Sequence, residues 1–176
     1  TVDLVVADNV DYANGYATPY PSNRIVIYAR PPVEELALRN HRDWNELLVT
    51  HELAHIFHLD RVRGPWAVAQ RVFGRAAPLF PNSYAPSWLL EGLAVHFETR
   101  ITGAGRLAGT EFPALVRARA ATGDLPALHE LSLAAPRFPG GTSAYLYGSY
   151  AVTRSEPAAM RRFVERQSGR LNPWRH

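Results

Sequence analysis

His51-Glu52-Leu53-Ala54-His55 is the stretch that decides the fold. It sits in a run, Leu47 to Leu59, whose apolar residues recur with helical spacing. On a helix, residues i and i+4 share one face, a turn apart. His51 and His55 can therefore reach a single point, and two imidazoles meeting there suit a metal ion. Glu52 lies about 100° further round the helix, placed to face a water on the metal. H-E-x-x-H on a helix is a zinc-hydrolase pattern in which the Glu acts as general base. A catalytic zinc keeps three protein ligands and one open position. The stretch supplies two ligands, so the third must come from elsewhere.

The expected helix starts after Asp43, which can cap it, with Glu46 reaching back in the manner of a capping box. Leu47, Leu48, Ala54, Ile56, Phe57 and Leu59 cover several of its sides, so it should be largely buried. Buried imidazoles and a buried carboxylate need polar partners, and a metal ion would supply them. Before this helix, residues 2–7 and 24–29 are β-branched and aliphatic and read as strands. The segment between them, Asp11 to Pro21, is rich in turn formers and reads as a loop with Asn14-Gly15 as a turn. A short helix is expected from Glu34 to Leu38.

After the first helix, Trp66 to Phe73 reads as a short amphipathic helix and Pro78 to Asn82 as loop. Pro86 to Glu98 then reads as a second long helix, with Ser87 as its N-cap. Gly92 inside it costs about 1 kcal/mol relative to Ala, which predicts close approach of another backbone. Glu91 stands in an apolar turn, where an ionised carboxylate needs a cation. Helices are also expected over Glu111–Ala121, Ala144–Thr153 and Pro157–Gln167, with a Pro/Gly loop from Pro136 to Ser143.

The chain has 176 residues, enough for one domain with a proper core. The expectation is a single domain over 1–176, with sub-lobes of about 1–60 and 61–176, excised from a longer protein. All 19 basic residues are Arg, and the net charge is +3. The Arg residues are scattered, whereas a nucleic-acid footprint wants one basic face and a recognisable motif. No apolar run approaches the roughly 20 residues of a membrane span. The chain has no Cys, which excludes disulfides and thiolate ligands.

The pairing of HELAH (51–55) with WLLEGLAVHFE (88–98) resembles the gluzincin metallopeptidases, in which a Glu on a second helix completes a His/His/Glu zinc site. The second motif is similar to the W-L-x-E-G-(F/L)-A pattern of aminopeptidase N-like enzymes, and thermolysin shares the general arrangement. More narrowly, the chain resembles a bacterial peptidase-MA-like domain, of the type found ahead of TolB-type β-propellers in envelope proteins. The resemblance runs from about residue 10 to about residue 168. The metzincin pattern does not fit: it needs Gly at position 58 and His at position 61, and this chain has His58 and Arg61.

The resemblance implies an α+β, zincin-like fold: a small N-terminal sheet packed on the HELAH helix, and a helical C-terminal lobe completing a cleft. It implies Zn²⁺ held by His51, His55 and Glu91, with Glu52 as general base. The other reading of Glu91 is an ion pair with an Arg. A Tyr commonly serves such enzymes as oxyanion donor, and Tyr145-Leu146-Tyr147-Gly148 matches the Y-x-x-G stretch that carries it. Tyr145 is the expected donor, with Tyr147 and Tyr150 as competitors. Glu98 is either a partner that orients a His ligand or a surface carboxylate. The strand Arg24–Ala29 is expected to edge the sheet and bind substrate by strand addition.

The expected activity is zinc-dependent hydrolysis of a peptide or protein substrate. The chain lacks the G-x-M-x-N segment with which aminopeptidases of this kind hold a free amine, so an endopeptidase is expected. The alternative is a zinc-binding interaction module of a larger envelope protein, with little turnover. The resemblance also implies a periplasmic or secreted location and a C-terminal propeller in the longer protein.

Overall fold

A computed structural model of the chain describes residues 1–33, 38–132 and 138–169. The helix expected over Glu34–Leu38 lies, apart from Leu38, outside the described residues, as does the start of the loop expected from Pro136.

The N-terminal part is a three-stranded sheet of β1 (Asp3–Ala7), β2 (Gly15–Thr18) and β3 (Arg24–Tyr28), in the order β1-β3-β2. β1 runs parallel to β3, and β2 runs antiparallel to it. The run Ile25-Val26-Ile27 is buried throughout, as befits a central strand covered on both faces. Two sequence expectations change here. Asn14-Gly15 is not a turn: Gly15 opens β2 opposite Ile27, and the Asn14 carbonyl accepts from the Tyr28 amide. Pairing with β3 outweighs the local turn preference of Asn-Gly. The Arg24–Ala29 strand is not an edge, because β3 is paired on both sides, which removes it as a site of strand addition. β1 and β2 are the edge strands, and β2 is the one that packs against α1.

Helix α1 (Trp44–Leu59) carries the HELAH residues. Asp43 caps it, accepting from the amides of Asn45 and Glu46 at 2.8 and 3.1 Å. The reciprocal contact from Glu46 is not made among the described hydrogen bonds. Leu47, Leu48 and Ile56 of α1 pack with Trp44, Leu38 and the sheet residues Ile25 and Ile27 to form the first core. Each such side chain contributes about 1.5–3 kcal/mol on full burial, and together they fix α1 against the sheet.

The remainder is helical: α2 (Pro65–Phe73), α3 (Ser87–Thr102), α4 (Glu111–Ala121), α5 (Ser143–Arg154) and α6 (Pro157–Gln167). α3 packs against both α1 and α5. A second core of Val95, Phe112, Leu131, Leu146 and Tyr147 joins α3, α4 and α5. Ser87 does not cap α3. It is the first helical residue, after Pro86, and its hydroxyl donates to the Leu131 carbonyl at 3.2 Å. The architecture is mixed α+β, six α-helices and one small sheet among the described residues. None of these helices is long and apolar enough to cross a membrane.

Candidate metal centre

α1 and α3 lie side by side, and the site forms where they face each other. His51 and His55 project from one face of α1, with ring centroids 5.0 Å apart. Glu91 projects from α3, and its Oε2 lies 3.4 Å from Nε2 of each imidazole. Two ligand atoms bound to one tetrahedral zinc at about 2.0–2.1 Å are themselves about 3.3–3.4 Å apart. Glu91 Oε2 is buried and has no hydrogen-bond partner. A buried carboxylate oxygen left unpaired is costly, and an ion shared with the two imidazoles would satisfy it. Among the described residues no Arg pairs with Glu91. The His51, His55 and Glu91 group can hold a metal ion.

The electrostatics point the same way. Burial pushes Glu91 up, but the two imidazoles 3.4 Å away hold its carboxyl well below the usual carboxylate range. Burial pushes the His51 imidazolium down, yet Glu91 and Glu98 on its two sides raise its pKa to about 9. The site attracts positive charge.

Glu98 is fully buried, which excludes a surface carboxylate. Its Oε2 lies 2.7 Å from His51 Nδ1. Accepting a hydrogen bond from Nδ1–H fixes the ring and directs Nε2 at Glu91. The Arg106 guanidinium keeps Glu98 ionised against the cost of its burial.

Glu52 is buried beside the two imidazoles and lines a cavity of about 450 Å³ that opens over them. Burial pushes its pKa up from the usual carboxylate value, which suits a proton acceptor working near neutral pH. Tyr145 lines the same cavity, with its ring stacked on His51 at 6.1 Å. Burial and the negative charge of Glu91 push its phenol pKa up, so the hydroxyl keeps its proton and can donate. Tyr147 and Tyr150 pack in the second core, and neither lines the cavity.

Two parts of the site carry no motif. One is the cavity wall made by residues 13–17, which includes β2. The other is Arg106, eight residues beyond Glu98 in a Gly-containing turn, where nothing in the sequence separates it from the other 18 Arg residues. His58 is buried but makes no hydrogen bond through either ring nitrogen.

Comparison with known proteins finds no family model, no curated protein and no solved structure that matches this chain. The reading of the site therefore rests on its own geometry.

Proposed function

We propose that this chain is a metal-dependent hydrolase and that the metal is zinc. The observation that carries the reading is the position of Glu91 Oε2: buried, without a hydrogen bond, and 3.4 Å from both imidazole nitrogens. A small set of imidazole and carboxylate donors suits zinc, and three protein ligands suit a catalytic site. More particularly, the proposal is a zinc metallopeptidase of the gluzincin arrangement on a zincin-like fold. The order of HELAH and WLLEGLAVHFE along the chain supports it.

His51, His55 and Glu91 hold the ion, which when bound lowers the pKa of a coordinated water to about 7 and polarises a carbonyl oxygen. Glu52 accepts a proton from the attacking water and passes it to the leaving nitrogen. The Tyr145 hydroxyl donates to the oxygen on which negative charge develops. The free edge of β2 beside Glu52 suits a peptide bound in extended form. Glu52 and Glu91 are the only carboxylates among the cavity-lining residues described. With one a ligand and the other a base, none is left to hold a substrate amine, which supports an endopeptidase. The resemblance in the two motifs extends the proposal to a protein of the bacterial envelope or exterior.

The test is zinc analysis of purified protein, followed by a broad peptide digest with wild type and Glu52→Gln. The expected result is one zinc per chain in both and cleavage by wild type alone, removed by a chelator and restored by zinc. Zinc in both with cleavage by neither would instead indicate a binding module.

A further inference from the structure

We infer that Arg106 is a positioning residue for the metal centre, acting through Glu98 on His51. The inference rests on reading His51, His55 and Glu91 as metal ligands.

Arg106 holds both oxygens of Glu98. Its Nη1 donates to Oε2 at 2.6 Å, and its backbone amide donates to Oε1 at 3.1 Å. Oε2 is the same oxygen that lies 2.7 Å from His51 Nδ1. A continuous chain of charge-assisted hydrogen bonds thus runs from guanidinium to carboxylate to imidazole, and the imidazole's far nitrogen faces Glu91. The turn after α3 is shaped to make this contact. Gly105 has φ +90°, and a Cβ there would stand 2.7 Å from Glu98 Oε1. A residue with a side chain at 105 would push the carboxylate off the Arg106 amide.

A second path joins the same groups. The Arg106 guanidinium lies 5.0 Å above the Tyr145 ring, and that ring stacks on His51. His51 is thereby fixed at its edge by Glu98 and at its face by Tyr145, and Arg106 touches both supports. Without the Arg106 guanidinium, Glu98 would be a fully buried carboxylate held by the residue-106 amide at Oε1 and by one imidazole at Oε2, with no cation to fix Oε2. The cost would appear first in the alignment of His51 Nε2. Partners of this kind are worth 10–100-fold in metal affinity.

The experiment is zinc affinity of the whole chain by competition with a chromophoric chelator, for wild type, R106M, R106K, E98Q and the double variant E98Q/R106M. Met keeps the length of the Arg stem over Tyr145 and removes the charge. R106M should bind zinc about 10-fold or more weakly, and R106K less weakly, by about threefold to fivefold, because an ammonium can still donate to Oε2 but loses the planar contact over Tyr145. E98Q should lose a similar factor, and adding R106M to E98Q should lose little more, since the Met stem keeps the packing over Tyr145 and the rest of the effect runs through Glu98. Melting temperature recorded on each zinc-free variant separates this from general unfolding. Should R106M not fold, R106K decides: wild-type zinc affinity in R106K together with a loss in E98Q would overturn the inference. Zinc binding by R106M at wild-type affinity would overturn the inference. So would a full additional loss from R106M in the E98Q background. Failure of the wild type itself to bind zinc would remove the metal reading, and this inference with it.

Discussion

Gly92 of α3 and Gly148 of α5 meet backbone to backbone: a Cβ on Gly92 would stand 2.5 Å from the carbonyl carbon and oxygen of Gly148. A Cβ on Gly148 would in turn overlap the Trp88 carbonyl oxygen. The two helices cross where neither has a side chain, and the site depends on that crossing. Glu91 precedes Gly92, and Tyr145 lies three residues, about one turn, before Gly148. The close approach brings an α5 tyrosine to a cavity whose wall is shared with α1, α3, β2 and the turn carrying Arg106.

Gly148→Ala should therefore destabilise the protein although Ala is the better helix former. Ala favours the helix by about 1 kcal/mol, and forcing a methyl into packed backbone costs about 1–3 kcal/mol or more. Overlap with backbone stands at the upper end of that range, so the expected net loss is about 2 kcal/mol or more, read as a lower denaturant midpoint, together with reduced peptide hydrolysis as Tyr145 moves. Gly141→Ala is the control. Nothing lies within 4 Å of a Cβ there, and its midpoint should move by less than about 0.5 kcal/mol. Equal midpoints for the two variants would show that the crossing tolerates a side chain.

Tyr145→Phe should separate catalysis from metal binding. Phe keeps the ring that stacks on His51 and lies beneath Arg106, and it loses only the hydroxyl. Removing one oxyanion donor costs about 10²–10³ in kcat. The expected outcome is a kcat lower by that order, a KM within about threefold, and wild-type zinc content. Tyr147→Phe should leave kcat near wild type, because Tyr147 packs in the second core away from the cavity. A larger kcat loss from the Tyr147 change would move the donor role away from Tyr145.

The helices and the ligand-bearing faces are legible in the sequence because local periodicity carries them. His51 and His55 are one turn apart on one helix, and Gly92 marks the crossing in advance. Glu91 is legible as a carboxylate in need of a cation, though its nearness to the imidazoles depends on α3 lying against α1. β2 is illegible for a different reason: Tyr16 and Thr18 favour a strand, but a four-residue run opening with Gly among turn formers is too short to read as one, and pairing with β3 makes it a strand. Arg106 is illegible because its role depends on a turn folding back over Glu98, and arginine in a glycine-containing turn has no distinguishing pattern. Ser87 has the residue type of a cap, yet Pro86 takes that position and the Ser87 hydroxyl goes to Leu131.

β2 also sets a limit on what can stand beside the general base. A Cβ on Gly15 would lie 3.3 Å from Glu52 Oε1, 3.2 Å from Leu48 Cδ1 and 3.1 Å from the Val26 carbonyl oxygen. Each neighbour would have to yield by a few tenths of an ångström, and the end of the Glu52 side chain yields most easily. Gly15→Ala should thus move the Glu52 carboxylate more than it disturbs the fold. We expect a fall of about tenfold in kcat/KM, since small misplacements of a reacting group are costly, with stability changed by less than about 1 kcal/mol. Unchanged kcat/KM in a well-folded Gly15→Ala protein would show that Glu52 has room to spare.

His58 should make the fold acid-sensitive. It is buried, neither ring nitrogen has a hydrogen-bond partner, and burial, reinforced by His55 and Arg61, lowers its pKa to about 4. Unfolded, the same imidazole titrates near 6.5. Above about pH 6.5 both states hold it neutral, and it has no effect on the pH dependence. As pH falls from about 6.5 to about 4, the unfolded chain takes up a proton that the folded chain refuses, so stability falls. The full effect, reached below about pH 4, is about 3 kcal/mol at 1.36 kcal/mol per unit. His58→Leu is close in volume and cannot be protonated. At pH 7.5 it should match or slightly exceed wild type, because it removes two unsatisfied polar atoms. At pH 5 its stability advantage should be larger by about 2 kcal/mol. Denaturant melts of both proteins at the two pH values measure the difference directly, and parallel pH curves would mean that His58 titrates normally in the folded chain.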